Sequence, residues 1–456
     1  MIRLMMRAEM ALLLTAGLLV TAACDGSGGA AVSQPSNQVS ATTQHGPPPL
    51  GWYANVAYFT QWGSHSRNFE VRDVEASGAA AKLTHINYAF GNIGSDGRCL
   101  AGGHGEDGDA WTDYQRRFTA DESVDGVADA LDQPLAGNFN QLRKLKQRHR
   151  GLKVLLSLGG WAWSKYFSNA AATAASRQAF AASCLDLFIG GNLPISGEPQ
   201  GGPGSAAGVF DGIDIDWEWP GSEGNQGNVI RAADKQNFTL LLAELRRQLD
   251  AYGSALGRQF QLTAFLPADP DKITAGVEVD RALGLLDFAT VQGYDFHGPW
   301  ENRTNHHSQL RSPPADPAPG RLSVETAVDA YLHAGAPARK LVVGVPAYGK
   351  GWRGVPGTDR GLYQPSAGPA PGTWEAGSED YKALVKRPGM RFRDTTNGAV
   401  WLHDGDQWWS YDDPPLLIQK VAWIRSNGLG GAMMWSLDGD TADAALTTAL
   451  HDALAG

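Results

Sequence analysis

Cysteine is scarce, positive charge is in deficit and no long hydrophobic run is present, and each shortage removes a class of function. The three Cys among 456 residues form no zinc-binding spacing with His, and neither a P-loop nor a G-x-S-x-G elbow occurs. Lys and Arg total 38 against 48 Asp and Glu, a formal charge of −10. The one basic cluster, RKLKQRHR at 143–150, reads as a solvated helix face, and a nucleic-acid partner, which needs a basic surface, is excluded. The longest largely apolar run, Met10 to Ala23, falls short of the ~20 residues of a membrane-spanning helix.

That run fits an export signal: it follows a basic start and ends in small residues. Thr21-Ala22-Ala23-Cys24 resembles a bacterial lipobox, with Cys24 as the lipid-modified first residue of the mature chain; ordinary secretion is the alternative. Residues 1–23 are therefore read as a signal peptide, 24–50 as a flexible polar linker and 51–456 as the folded part. Any membrane contact would run through a lipid on Cys24. With Cys24 so used, Cys99 and Cys184 remain as an even pair in an oxidising compartment, either a disulfide or two buried thiols. One surplus stands out: Trp is as frequent as Phe, 15 each.

From Gly51 onward, β-branched and aromatic runs alternate with helical stretches, the pattern of parallel strands with crossover helices. The strand runs are 53–60, 84–90, 152–158, 209–217, 260–266, 287–294, 341–347 and 431–437. Between the fifth and its predecessor, KQNFTLLLAELRRQLDAYG places Phe238, Leu241, Leu242, Leu245 and Leu249 on one helical face, with Gly253 as its stop. Eight such units predict an α/β fold, a closed (β/α)8 TIM barrel. Between strand 7 and helix 7, residues 348–413 are too long for a plain loop. They carry Trp352, Trp374, Trp401, Trp408 and Trp409 among strand-like runs and read as a small α+β insertion subdomain. Those five Trp are assigned either to its own core or to a wall of the barrel mouth.

The strongest local signal is FDGIDIDWEWPG at 210–221. Strand side chains alternate faces, so Asp214, Asp216 and Glu218 point into the barrel while Ile213, Ile215 and Trp217 point toward the helices. Asp211 has the opposite parity and reads as a structural residue. Three adjacent carboxylates cannot all ionise cheaply, so at least one holds a proton near neutral pH. Glu218, last in the row and nearest the C-terminal rim, is the natural general acid. A hard cation held by the three acids is the alternative. GHGEDGDAW (103–111) fits no ligand spacing and reads as solvated; His306-His307 reads as lining a loop.

DGIDIDWE also matches a DxxDxDxE signature, and the chain resembles the family 18 glycoside hydrolases, the chitinases and related endo-acetylglucosaminidases. SLGGW (157–161), NYAFG, QGYDFHG, GVPAYGKGW and MMWSLD stand at the matching strands. The resemblance covers essentially 51–456. It implies substrate-assisted retaining hydrolysis, in which the sugar's 2-acetamido oxygen attacks the anomeric carbon. Glu218 would act as acid and then base, Asp216 would orient the acetamido N–H, and Asp214 would share a proton with Asp216. Tyr294 would donate to the acetamido oxygen and Asp295 would contact the same sugar.

Aromatic side chains would stack on sugar rings: Trp435 as the floor at the cleavage point, Trp161 on the leaving-group side, Tyr58, Phe90 and Tyr348 as walls, with Trp300 a further candidate. Gln292 stands where the family commonly has Met and Lys350 where many members have Arg. Glu375, in GTWEAG, resembles a sugar-contacting acid. Chitin or chitooligosaccharides are the implied partner, the chain a monomer, with no cofactor and no metal. The alternatives are an endo-β-N-acetylglucosaminidase on glycoprotein glycans and a non-catalytic chitin-binding lectin, in which the acid is typically lost.

Overall fold

All eight apolar runs form strands of one parallel sheet: β1 Ala54–Thr60, β2 His85–Ile93, β3 Lys153–Gly159, β4 Gly212–Asp216, β5 Gln261–Leu266, β6 Phe288–Val291, β7 Leu341–Pro346 and β8 Gly431–Trp435. In this computed structural model, residues 50–103 and 108–456 are described. The signal segment, Cys24, the linker up to residue 49 and the centre of the 103–111 loop lie outside the described residues. Each strand pairs with its sequence neighbours, and β8 returns to β1, so the sheet closes into the expected barrel. Among the described residues no helix is long and apolar enough to cross a membrane.

Outward-facing Ile213 and Ile215 are fully buried beneath the helices. Trp217 packs as its parity requires, stacked on Phe167 at 5.3 Å. The helix Asp234–Leu256 buries Phe238, Leu241, Leu242, Leu245 and Leu249. It does not stop at Gly253: the left-handed cap is Gly257, at φ 64°. Gly253 stays helical because the chain folds back on it, and a Cβ there would lie 2.4 Å from the Arg258 carbonyl oxygen. The basic run at 143–150 is less solvated than its composition suggests, since Lys146 pairs with Asp211 at 2.7 Å and Arg148 with Glu75 at 2.8 Å.

β7 leads almost directly into Tyr348–Arg353, the strand on which a second, antiparallel sheet is built. Trp408–Tyr411, Ser378–Asp380 and Gly368–Pro369 pair with it, and Met390–Asp394 and Ala399–His403 extend the sheet beyond. This is the expected insertion. Trp352, Trp401 and Trp408 form its own core with Val355, and Trp409 joins the main core of the chain. Only Trp374 is exposed among the five.

Cys99 and Cys184 are joined in a disulfide, with Cα atoms 5.0 Å apart and a sequence separation of 85. Closing so long a loop restricts the unfolded chain, so Cys184→Ser is expected to lower stability by roughly 2–5 kcal/mol. Urea unfolding of oxidised wild type against the variant checks this.

Candidate active site

The barrel register brings three hydroxyl donors to one carboxylate. Asp214 on β4 aligns with Ser157 on β3 and Thr263 on β5. Ser157 Oγ donates to Asp214 Oδ2 at 2.7 Å, Thr263 Oγ1 to Oδ1 at 2.6 Å, and Tyr58 from β1 donates to Oδ2 at 2.9 Å. Both oxygens of Asp214 are thus engaged by hydroxyls, which speaks against the cation-binding alternative for the acidic row.

One pleat toward the C-terminal rim, Asp216 is buried and its Oδ1 has no protein partner among the described residues. Glu218 follows beyond the end of β4. Its backbone is tethered on both sides: its N–H donates to Ser164 Oγ at 2.9 Å, and its carbonyl accepts from Asn228 Nδ2 at 2.9 Å. The glycine pair of SLGGW has a steric reason. Gly159, at φ 106°, passes so close to β4 that a Cβ would sit 2.4 Å from the Asp216 carbonyl, and one on Gly160 would sit 2.4 Å from the Phe90 ring.

These groups open on a cavity of about 440 Å³. Trp435 and Phe90 stack at 5.7 Å, and Tyr58 lies 5.1 Å from Trp435. Trp161 stands half-exposed at the rim. Across the cavity Asp295, at φ 58°, accepts from Tyr348 Oη at 2.7 Å, with Lys350 Nζ 3.5 Å and His307 Nδ1 3.8 Å away.

The electrostatics divide these acids into two kinds. Burial, reinforced by the charges of Glu218 and Asp214, pushes Asp216 well above the usual carboxylate range. Burial also raises Glu218, with the Asp295 charge adding and Lys272 opposing, up to about 8. For Asp295, burial is outweighed by Lys350, His307 and Tyr348, which hold the carboxyl well below the usual range. Burial and the surrounding carboxylates raise Tyr294 far above an ordinary phenol, so it remains a donor. The site therefore contains a protonated acid, a fixed anion and a phenol donor. Catalysis that draws its proton from Glu218 requires the protonated form, so kcat/KM is expected to fall as pH rises through about 8; a pH–rate profile checks the position of that limb.

A sequence model of the glycosyl hydrolases of family 18 matches residues 54–440. The chain belongs to this family. It is 40% identical over 403 residues to Chitinase C of Streptomyces lividans, covering 87% of this chain and 59% of that protein. It is 38% identical over 429 residues to Chitinase 63 of Streptomyces plicatus, covering 92% and 64%. The chain thus spans less than two thirds of the length of these relatives. Among solved structures, the catalytic domain of a psychrophilic chitinase B from Arthrobacter TAD20 matches with TM-score 0.85 and 47% identity, covering 89% of this chain and 96% of that one.

Of the family-18 positions expected from sequence, Asp216, Glu218, Tyr294, Asp295, Gln292, Tyr58, Phe90, Tyr348, Trp161 and Trp435 all line the one cavity. Asp214 lies beneath it, reached through Tyr58. Two further candidates lie outside it. Glu375 is exposed and borders a neighbouring polar recess of about 180 Å³, which also touches Asp295, Tyr348, Lys350 and Trp435. Trp300 is exposed and does not line the cavity.

His306 and His307 lie in a loop, as expected, but both are buried. The insertion covers them: His306 packs between Trp401 and Trp408, and His307 lies 5.3 Å from the Tyr348 ring. The cavity also contains Gln61, Trp62, Trp163 and Phe265, which the sequence reading did not single out. Phe265 shares the inward parity of Thr263 and was legible by alternation; the other three lie beyond strand ends, where alternation no longer applies.

Proposed function

We propose that this chain is an endo-acting chitinase, cleaving β-1,4 linkages between N-acetylglucosamine units with retention of configuration. The observation that carries the reading is the stacking of functions at one point. Glu218, its carboxyl raised to about 8, stands at an aromatic cavity beside Asp216, whose buried Oδ1 lacks a protein partner among the described residues.

In the first half-reaction Glu218 transfers its proton to the glycosidic oxygen as the C1–O bond breaks. The acetamido oxygen of the same sugar forms a new bond to C1, giving a cyclic oxazolinium ion. Asp216 Oδ1 accepts the acetamido N–H and stabilises the developing positive charge; Tyr294 donates to the acetamido oxygen and aligns it. Asp214, buried with its three donors, holds the shared proton economy of the row in place. In the second half-reaction water attacks C1, loses a proton to Glu218, and the ring opens to restore the acetamide. Asp295 holds a hydroxyl of the sugar, Trp435 forms the floor, and Trp161 receives the leaving group. Glu375 would meet a sugar farther along, through the polar recess.

We further propose that the protein is exported, with residues 1–23 removed and Cys24 lipid-modified, that 24–50 form a linker, and that the barrel works as a monomer. The sequence of that segment and a buried disulfide support export. The function is tested by a product profile on N-acetylglucosamine hexamer, chitin and a high-mannose glycopeptide. Internal cleavage of the hexamer and chitin is expected; preferential release of the glycan from the glycopeptide would instead assign an endo-β-N-acetylglucosaminidase.

A further inference from the structure

A chain of buried polar side chains ends at Gln61, and nothing in the chemistry above uses it. Ser64 Oγ donates to Asn138 Oδ1 at 3.3 Å, and Asn138 Nδ2 donates to Tyr88 Oη at 3.2 Å. Tyr88 Oη in turn donates to Asp113 Oδ1, and Gln61 Nε2 donates to the same oxygen at 2.7 Å. Ser64, Asn138, Tyr88 and Gln61 are all buried. Asp113 is presented from the π-helical turn Trp111–Gln115, a distortion that often accompanies functional positions. Burying so many polar groups costs desolvation, and a fully connected network is chiefly a device for fixing geometry.

What the network fixes is the polarity of one amide. With Nε2 committed to Asp113, Gln61 Oε1 has no protein partner among the described residues, is not sealed from solvent, and belongs to a side chain lining the 440 Å³ cavity beside Trp62. Both donors reach Asp113 through Oδ1. The proton that burial holds on this carboxyl up to about 8 therefore sits at Oδ2 and leaves Oδ1 an acceptor.

Building on the sugar-binding reading of the cavity, we propose that Gln61 is a specificity-determining residue whose Oε1 accepts a hydroxyl or amide N–H from a bound sugar unit. Asp113 is its positioning residue, which keeps the acceptor end of the amide toward the ligand. A donor-bearing sugar substituent is thereby distinguished from one that lacks a donor.

The test is a double-mutant cycle read by calorimetry in the non-hydrolysing Glu218→Gln background, with N-acetylglucosamine hexamer as ligand. Gln61→Met, which keeps length and removes the acceptor, is expected to weaken binding about tenfold. Asp113→Leu, which removes the Oδ1 acceptor, is expected to weaken it comparably, and the double variant no more than Gln61→Met alone, because Asp113 acts through Gln61; Asp113→Asn, which keeps that acceptor, is expected to bind like the parent. Binding by Gln61→Met within fivefold of the parent, or losses that multiply in the double variant, would overturn the inference. Thermal unfolding confirms that each variant folds, and Gln61→Ala carries the same comparison if Gln61→Met does not. Hexamer cleavage by the wild-type chain is recorded in parallel. If it is cleaved while the variants bind like the parent, only the Gln61 inference fails; a hexamer neither bound nor cleaved removes the sugar-site reading itself.

Discussion

Glu218→Gln is expected to lower kcat on a chromogenic chitobiose substrate by roughly 10²- to 10⁴-fold, the range for loss of a positioned general acid. The amide keeps the shape of the side chain but has no proton to deliver to the glycosidic oxygen. Its backbone anchors are unchanged, since Ser164 and Asn228 bind the main chain of residue 218 and not its carboxyl. Stability should move in the opposite direction from activity. Glu218 is raised in the folded chain from 4.5 to about 8, so the native state holds a proton that the unfolded state releases above pH 4.5. Its contribution to stability is full below the unfolded value and is lost as pH climbs toward 8. The variant lacks this loss, and its unfolding midpoint relative to wild type should rise across that window. Near wild-type turnover in Glu218→Gln would remove the residue from the chemistry.

Much of the site was legible before any coordinates because strand alternation is a strict rule. Once 212–216 is a barrel strand, Asp214 and Asp216 share the inner face and Trp217 belongs outside, and the packing of Trp217 on Phe167 agrees. The rule loses its hold where strands end. Gln61, Trp62 and Trp163 enter the cavity from loops and short turns whose direction depends on tertiary contacts, such as the hold of Asp113 on Gln61. The insertion was visible from its length and its Trp content, but the division of those Trp between its core and solvent required the antiparallel register. The same covering sheet explains why a polar dipeptide, His306-His307, is buried. Gly253 illustrates the reverse error: glycine marks a helix end when its freedom of φ is needed, but here close approach of the chain required it within the helix.

The central claim is that the sugar, not the protein, supplies the nucleophile. The carboxylates lining the cavity are poorly suited to that task. Burial and the acidic neighbours of Asp216 raise it well above the usual carboxylate range, and Asp295 is engaged by Tyr348 and faced by Lys350. A correctly held acetamido oxygen, by contrast, attacks with an effective molarity of roughly 10⁵–10⁸ M. Replacing that acetamido group with a free amine leaves the leaving-group oxygen and Glu218 untouched. The aromatic floor and walls of the cavity are likewise unchanged, so binding should persist while the chemical step fails. The decisive measurement is therefore the cleavage rate of an N-acetylglucosamine oligomer carrying a single glucosamine unit at the cleaved position, compared with the fully acetylated oligomer. The account predicts a rate lower by more than about 10³-fold at that bond with binding retained; cleavage there at a comparable rate would contradict it and require a nucleophile from the protein.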